Sequence, residues 1–197
     1  MNVFKILAML AVALIAAMLL VGGCLYSGYG RAITLDEGVK SAWAQVENQL
    51  QRRFDLVPQL VNTVKGVAAQ EEKIYLGVAE ARKAYFQADT VNEKAEAATG
   101  FERALSRLLV LKETYPELKS NQSFLNLQAS LEGTENRLAV ERQRYNEHVQ
   151  RLNTFARKPL GRIYVSLAGV NPAEYFEPPQ EAATAPQVDF SDIKDSG

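Results

Sequence analysis

The chain has one cysteine, one histidine and one tryptophan among its 197 residues: Cys24, His148 and Trp43. A single thiol excludes an internal disulfide and a cysteine-rich zinc site, and a single imidazole excludes a metal site built from several histidines. The 22 basic and 23 acidic residues nearly balance, whereas a nucleic-acid-binding protein needs a basic face. The sequence also lacks a phosphate-binding loop, a dinucleotide-binding fingerprint and a nucleophile elbow. These absences favour a non-enzymatic protein that needs no cofactor and binds no nucleic acid.

An uncharged run occupies residues 6–30, between Lys5 and Arg31. Its apolar core, residues 6–21, is slightly long for the apolar part of a signal peptide and slightly short for a membrane span. Extending it to Tyr26 reaches the roughly 20 residues that a membrane-spanning helix needs. Residues 1–23 are therefore predicted to be either a cleaved signal peptide or a transmembrane helix.

The sequence VGGC at residues 21–24 resembles the lipobox of bacterial lipoproteins, in which small residues precede the modified cysteine. In this interpretation Cys24 is lipidated and becomes the new amino terminus, because several acyl chains give stable anchoring. Leu25 follows it instead of the aspartate typical of inner-membrane retention, which predicts the outer membrane in a bacterium with two membranes. The alternative is a single-pass inner-membrane helix with an incidental cysteine. Both interpretations predict membrane lipid as a binding partner.

The remainder of the chain has the apolar spacing of long helices. A capping box at residues 34–37 opens a first helical region predicted over 35–87, with a kink or short break near Asp55 to Pro58. A second helix is predicted from Thr90 to Tyr115, before Pro116, and a third from about 121 to 155. The predicted fold is all-α: an elongated antiparallel bundle of three to four long helices, and thus a rod.

The predicted domain organisation follows from these patterns. The bundle spans residues 34–176, and a flexible tether rich in glycine and serine, residues 24–33, links it to the leader. The final stretch, residues 177–197, is rich in proline, alanine and acidic residues, and it is predicted to be a disordered tail.

Two groups of residues are candidate partner contacts. Arg52, Arg53 and Asp55 lie beside the predicted bend at Pro58, where they form either a polar contact point or a solvated face with an ordinary ion pair. The second group lies in the apolar segment GRIYVSLAGV after Pro159, which is either a short helix folded back on the bundle or a partner-binding patch. Its candidate contact residues are Ile163, Tyr164 and Leu167.

Residues 42–82, AWAQVENQLQRRFDLVPQLVNTVKGVAAQEEKIYLGVAEAR, resemble the signature region of LemA family proteins. The segments YNEHVQRLNTF, residues 145–155, and LAGVNPAEYFE, residues 167–177, also resemble that family. The resemblance implies an amino-terminal membrane anchor, a rod-like antiparallel helical bundle and no established enzymatic activity. Cys24 is similar to the lipoprotein variants of the family. The segment FARKPLGRIYVSLAGV departs from the family pattern, which puts any contact made there in doubt.

The leading functional hypothesis is a membrane-anchored scaffold or adaptor of the bacterial envelope, with an unidentified envelope protein as partner. A role in envelope stress or quality control is an extension of this hypothesis. One alternative is a mechanical or oligomerising envelope component. Another is a hydrolase that uses two carboxylates, which requires a concave pocket with two convergent acidic side chains. His148 and Trp43 are interpreted as structural residues, because neither has a catalytic companion at a suitable spacing.

Overall fold

The structure, a computed structural model, describes residues 3–177, with side chains from residue 7 onward except that of residue 8. Every regular element in this part is an α-helix, so the predicted all-α fold is confirmed. The bounds are α1 Val3–Lys65, α2 Glu72–Gln87, α3 Val91–Thr114, α4 Pro116–Ser120, α5 Gln122–Arg157 and α6 Pro159–Leu167. The predicted disordered tail lies outside the described residues except for Glu177.

Helix α1 is longer than predicted, because it continues from the apolar run through residues 24–33 and through Pro58. Residues 24–33, predicted as a tether, are thus helical, and of the kink or short break predicted near Pro58 the break is absent from α1. Glycine lowers helix stability by about 1 kcal/mol and proline by about 3 kcal/mol. Buried residues of α1 before and after Pro58, such as Phe54 and Leu60, hold the helix together there. The chain leaves the helical path only after Lys65, and α2 begins at Glu72.

Contacts divide the chain into two units, and the first contains Met1–Arg53 and Glu132–Tyr175. Within it α1 and α5 are antiparallel, because residues later in α1 contact residues earlier in α5. The Arg31 guanidinium lies 5.7 Å from the Phe155 ring, the Trp43 and Tyr145 rings are 5.2 Å apart, and Arg53 pairs with Glu135. Buried aliphatic residues fill this interface: Ala32, Val39, Val46, Leu50, Leu138, Val149 and Leu152.

Helix α6 ends in a Schellman motif, in which the chain reverses through a left-handed residue. The Val170 amide donates to the Val165 carbonyl at 2.9 Å, and the Gly169 amide donates to the Ser166 carbonyl at 3.2 Å. Gly169 has a φ of 65°, a backbone conformation that glycine adopts without steric cost.

The segment after α6, residues 170–175, is held along α5, and we call it the strap. The Asn153 amide donates to the Ala173 carbonyl at 2.8 Å and accepts from the Ala173 amide at 3.0 Å. The Tyr145 hydroxyl donates to the Glu174 carbonyl at 2.8 Å. Burial and the negative charge of Glu174 raise the pKa of Tyr145 to about 12, so this hydroxyl remains a donor at neutral pH.

The second unit, which contains Phe54–Leu131, Phe176 and Glu177 among the described residues, is built around an aromatic cluster. The fully buried Phe54 ring lies 4.7 Å from the Phe101 ring and 4.9 Å from the Tyr85 ring. Helices α2 and α3 form a hairpin, and a capping box formed by Thr90 and Glu93 starts α3 where the sequence predicts it.

Candidate functional site

Of the two adjacent arginines predicted as partner contacts, Arg53 is buried and Arg52 is exposed. Arg53 is only 5% exposed and forms an ion pair with Glu135 of α5, whereas Arg52 points to solvent. Asp55 is also exposed, at the start of the second unit. The guanidinium of Arg53 therefore takes part in the helix interface, and a partner contact of Arg52, Arg53 and Asp55 stays a prediction.

The apolar segment after Pro159 forms a short helix that folds back on the first unit. Tyr164 lies on its buried face, where the hydroxyl is 3.3 Å from the Cys24 sulfur on α1. A Cβ on Gly28 would come within 2.3 Å of the Tyr164 ring, so the missing side chain there permits the close approach. Tyr164 therefore packs within the fold, and its role as a partner contact stays a prediction.

Ile163 and Leu167 are exposed next to this buried face of α6, with Leu160 beside them. These three side chains are 52%, 63% and 61% exposed, respectively. Because their positions share one face of a helix, the exposed surface is a continuous aliphatic stripe. One face of this segment packs on the fold and another is uncovered within the described chain, where a partner-binding patch stays a prediction.

A groove in the second unit lies between the last turns of α1 and the first half of α2. It encloses about 340 Å³, and its walls are mainly apolar. Lys65 and Arg82 contribute cationic side chains to its lining, and Leu76 lies at its rim with its side chain 53% exposed. We call it the α1–α2 groove. Sequence analysis missed it, because the helical region predicted over 35–87 has its kink or break near Pro58 and none between Lys65 and Glu72, where the chain turns.

A second cavity, of about 650 Å³, opens at the α2–α3 hairpin and carries three acidic residues, Asp89, Glu93 and Glu96, with Arg103. Glu93 is committed to the α3 cap, because its carboxylate accepts the Asp89 and Thr90 amides at 3.0 and 3.1 Å. These amides hold the pKa of Glu93 below its usual value, opposite to the direction that a general acid needs. Asp89 and Glu96 are exposed to solvent.

His148 packs beside Gly38 of α1, with its Nδ1 atom 2.8 Å from the position that a Cβ on this glycine would occupy. Trp43 packs against Tyr145, so both residues take part in the helix interface. In the part of the chain that the structure describes, no group of three or more His, Cys, Asp or Glu side chains is arranged to hold a metal ion.

The apolar start of α1 is a candidate membrane span. It is the one helix among the described residues long and apolar enough to cross a membrane, and its most apolar window has a mean hydropathy of 2.4 and is unburied. The LemA family pattern matches residues 42–190, which include most of both units. The chain belongs to the LemA family. This membership agrees with the resemblance seen in the signature region.

Curated proteins similar to this LemA family member include two from Paramagnetospirillum magneticum strain AMB-1, the magnetosome proteins MamQ 1 and MamQ 2. Each is 26% identical over 175 residues, which cover 76% of this chain and 64% of the relative. The magnetosome protein MamQ of Magnetospirillum gryphiswaldense strain MSR-1 is 24% identical over 174 residues, covering 75% of this chain and 64% of that protein. The chain therefore corresponds to less than two thirds of the length of these relatives.

Proposed function

We propose that this LemA family protein is a membrane-anchored, non-enzymatic scaffold or adaptor of the bacterial cell envelope. The observation that carries the proposal is the continuity of α1. The same helix contains the apolar run and the buried residues that pack against α5, such as Val39 and Val46. Because no flexible linker separates the anchor from the first unit, that unit is held beside the membrane.

Two anchors are compatible with this arrangement. In the first, the apolar start of α1 spans the membrane. In the second, residues 1–23 are removed as a signal peptide and lipid on Cys24 then holds the chain. The intact mass of the protein purified from membranes distinguishes them, because lipidation removes residues 1–23 and adds acyl chains. A mass equal to the whole sequence indicates the spanning helix.

The α1–α2 groove is the surface that we assign to a protein partner. Its volume of about 340 Å³ lies at the lower end of the range of ligand pockets, and its apolar walls suit a short aliphatic segment. The lining contains two cationic side chains, Lys65 and Arg82, and one carboxylate, Glu72, and this excess of positive charge favours an acidic residue next to that segment. The proposed occupant is therefore an apolar, acid-flanked segment of another envelope protein.

The acidic cavity at the α2–α3 hairpin supports the non-enzymatic part of the proposal. A carboxylate pair in hydrolysis needs one group kept protonated by its surroundings. Here Glu93 is held ionised by its backbone partners, and Asp89 and Glu96 are solvated. This arrangement fits a capped helix terminus better than an acid–base pair.

The adaptor is tested by photocrosslinking in cells with the full-length protein. A photoreactive amino acid replaces Leu76 at the groove rim, and a matched variant carries it at Val110, which is 61% exposed in the same unit but outside the groove lining. We expect one recurrent envelope protein at position 76 and background labelling at position 110. Equal background at both positions would contradict an adaptor that uses this groove.

Self-crosslinking distinguishes the oligomerising alternative. If position 76 captures a second copy of the chain in place of another protein, the groove joins copies and the protein is a mechanical component. Two tagged forms expressed together separate these results, since copurification of one form with the other requires self-association.

A further inference from the structure

The aliphatic stripe of α6 lies beside the end of the apolar run. The contact between Tyr164 and Cys24, at 3.3 Å, and the close approach of the Tyr164 ring to Gly28 fix α6 against this part of α1. Residues 24–28 directly follow the 16–20 apolar residues that fill a bilayer about 30 Å thick. A lipid on Cys24 would hold the same level of α1 at the membrane surface. Both anchors therefore place α6 at the boundary between lipid and water.

The charges around α6 have one sign. Arg157, Lys158 and Arg162 are exposed at its start, and Arg31 lies at the end of the uncharged run. The sequence contains no aspartate or glutamate in residues 1–35 or in residues 148–173. A local excess of positive charge in an otherwise balanced chain complements the phosphate groups of anionic lipids.

Exposed tyrosines complete the pattern at the same level of α1. Tyr26 and Tyr29 are exposed on the turns that flank Gly28. Tyrosine is enriched at membrane–water interfaces, because its ring is apolar and its hydroxyl is polar. A short helix with an aliphatic face, flanking cations and neighbouring tyrosines has the composition of segments that lie in the interface.

We propose that α6 is a lipid-contact element, with Leu160, Ile163 and Leu167 inserted at the acyl boundary and Arg157, Lys158 and Arg162 at lipid phosphates. The inference rests on the proposed membrane anchoring and deepens it. The occupant of the stripe is the bilayer that holds the chain and not a protein partner, because Tyr164 fixes α6 at the end of the apolar run and the residues that flank the stripe are basic. The first unit then contacts the membrane at two points, α1 and α6.

The experiment places a tryptophan on the stripe of the full-length protein. In a Trp43→Phe background, Ile163→Trp and Leu167→Trp are reconstituted separately into vesicles of phosphatidylethanolamine and phosphatidylglycerol. Some of the lipids are brominated at shallow or deep acyl positions. The matched control is Val140→Trp, whose site is 47% exposed on α5 of the same unit, away from α6. Far-UV circular dichroism checks that each variant keeps its helices.

We expect shallow bromines to quench both stripe tryptophans more than deep bromines do, with emission shifted to shorter wavelength, and to leave Val140→Trp unquenched. Combined replacement of Arg157, Lys158 and Arg162 by glutamine should reduce the quenching in anionic vesicles and not in zwitterionic ones. Vesicle flotation reports the anchor separately. Protein that floats with the vesicles while both stripe tryptophans stay unquenched would overturn the α6 contact and leave the anchoring intact.

Two other outcomes also count against the inference. Protein that fails to float would overturn the anchoring and the α6 contact together. A photoreactive amino acid at position 163 that captures a recurrent protein in cells, with no bromine quenching, would assign the stripe to a protein partner.

Discussion

The two units of this LemA family protein are both helical, but different kinds of contact hold them together. The first unit joins segments far apart in the chain: Arg53 pairs with Glu135 across 82 positions, and Cys24 meets Tyr164 across 140. The second unit is assembled mainly from successive helices around Phe54, with the α2–α3 hairpin closed by a local cap. The first has an aliphatic interface between two long helices with polar contacts between residues distant in sequence, whereas the second has a shared aromatic centre.

The largest expected effect is on the second unit. Phe54→Ala removes a fully buried ring from contact with Tyr85 and Phe101 and should lower the free energy of unfolding by about 4 kcal/mol. Urea unfolding of the full-length protein in detergent, followed by far-UV circular dichroism, measures the change. Phe86→Ala is the control, because the Phe86 ring borders the same cluster but is largely exposed.

The fluorescence of Trp43 shows whether Phe54→Ala affects the first unit as much as it affects the second. As the only tryptophan in the sequence, and a residue of the first unit, it reports that unit by its fluorescence. We expect Phe54→Ala to shift the circular dichroism transition more than the fluorescence transition. Equal shifts would show that both units unfold in one step, so that the distinction between them has no thermodynamic meaning.

The next effect tests the buried ion pair of the first unit. Arg53→Ala removes a buried guanidinium from Glu135 and should lower the free energy of unfolding by about 3 kcal/mol. This is the lower end of the range for a broken buried ion pair, because the Glu135 carboxylate is partly exposed and regains water. Trp43 fluorescence during urea unfolding measures it. Arg52→Ala is the matched control: this adjacent arginine is exposed, and its loss should change stability by less than about 0.5 kcal/mol. Similar costs for the two arginines would contradict the assignment.

The smallest effect is a dependence on alkaline pH in the first unit. The pKa of Tyr145 is raised to about 12 in the fold from an ordinary value of 10.0. Between these values the unfolded chain loses the tyrosine proton while the folded chain keeps it, so stability falls as pH rises. The urea midpoint from Trp43 fluorescence should therefore decrease above pH 10. Tyr145→Phe should show a weaker decrease, and an identical slope would disprove the contribution of Tyr145.

Local signals explain which parts of the fold the sequence predicts. The start of α3 at Thr90 and its end before Pro116 follow from a cap and a proline, which act within one helical turn. The third predicted helix, 121–155, lies within two residues of α5 at both ends. The all-α class follows in the same way from apolar spacing along each helix.

Sequence analysis is least informative for residues whose surroundings come from distant parts of the chain. Glycine and serine in residues 24–33 suggest a tether, but Tyr164 packs against Gly28 and the segment stays helical. Arg52 and Arg53 are equivalent in sequence, and only the position of Glu135 makes one of them structural. Likewise, the uncovered stripe of α6 and the α1–α2 groove depend on which helix faces are covered, which periodicity alone does not specify.

The pairing of α1 with α5 also determines when the first unit can fold during synthesis. Arg53 leaves the ribosome 82 residues before Glu135, which at about 5 to 20 residues per second corresponds to roughly 4 to 16 s. During this interval the apolar residues of α1 that pack on α5, such as Val46 and Leu50, have no partner. Helices α2 and α3 are complete before that time, so the second unit can form while the first waits. In a nascent chain stalled before Glu135, the apolar face of α1 that packs on α5 is therefore exposed, and chaperones should bind to that face.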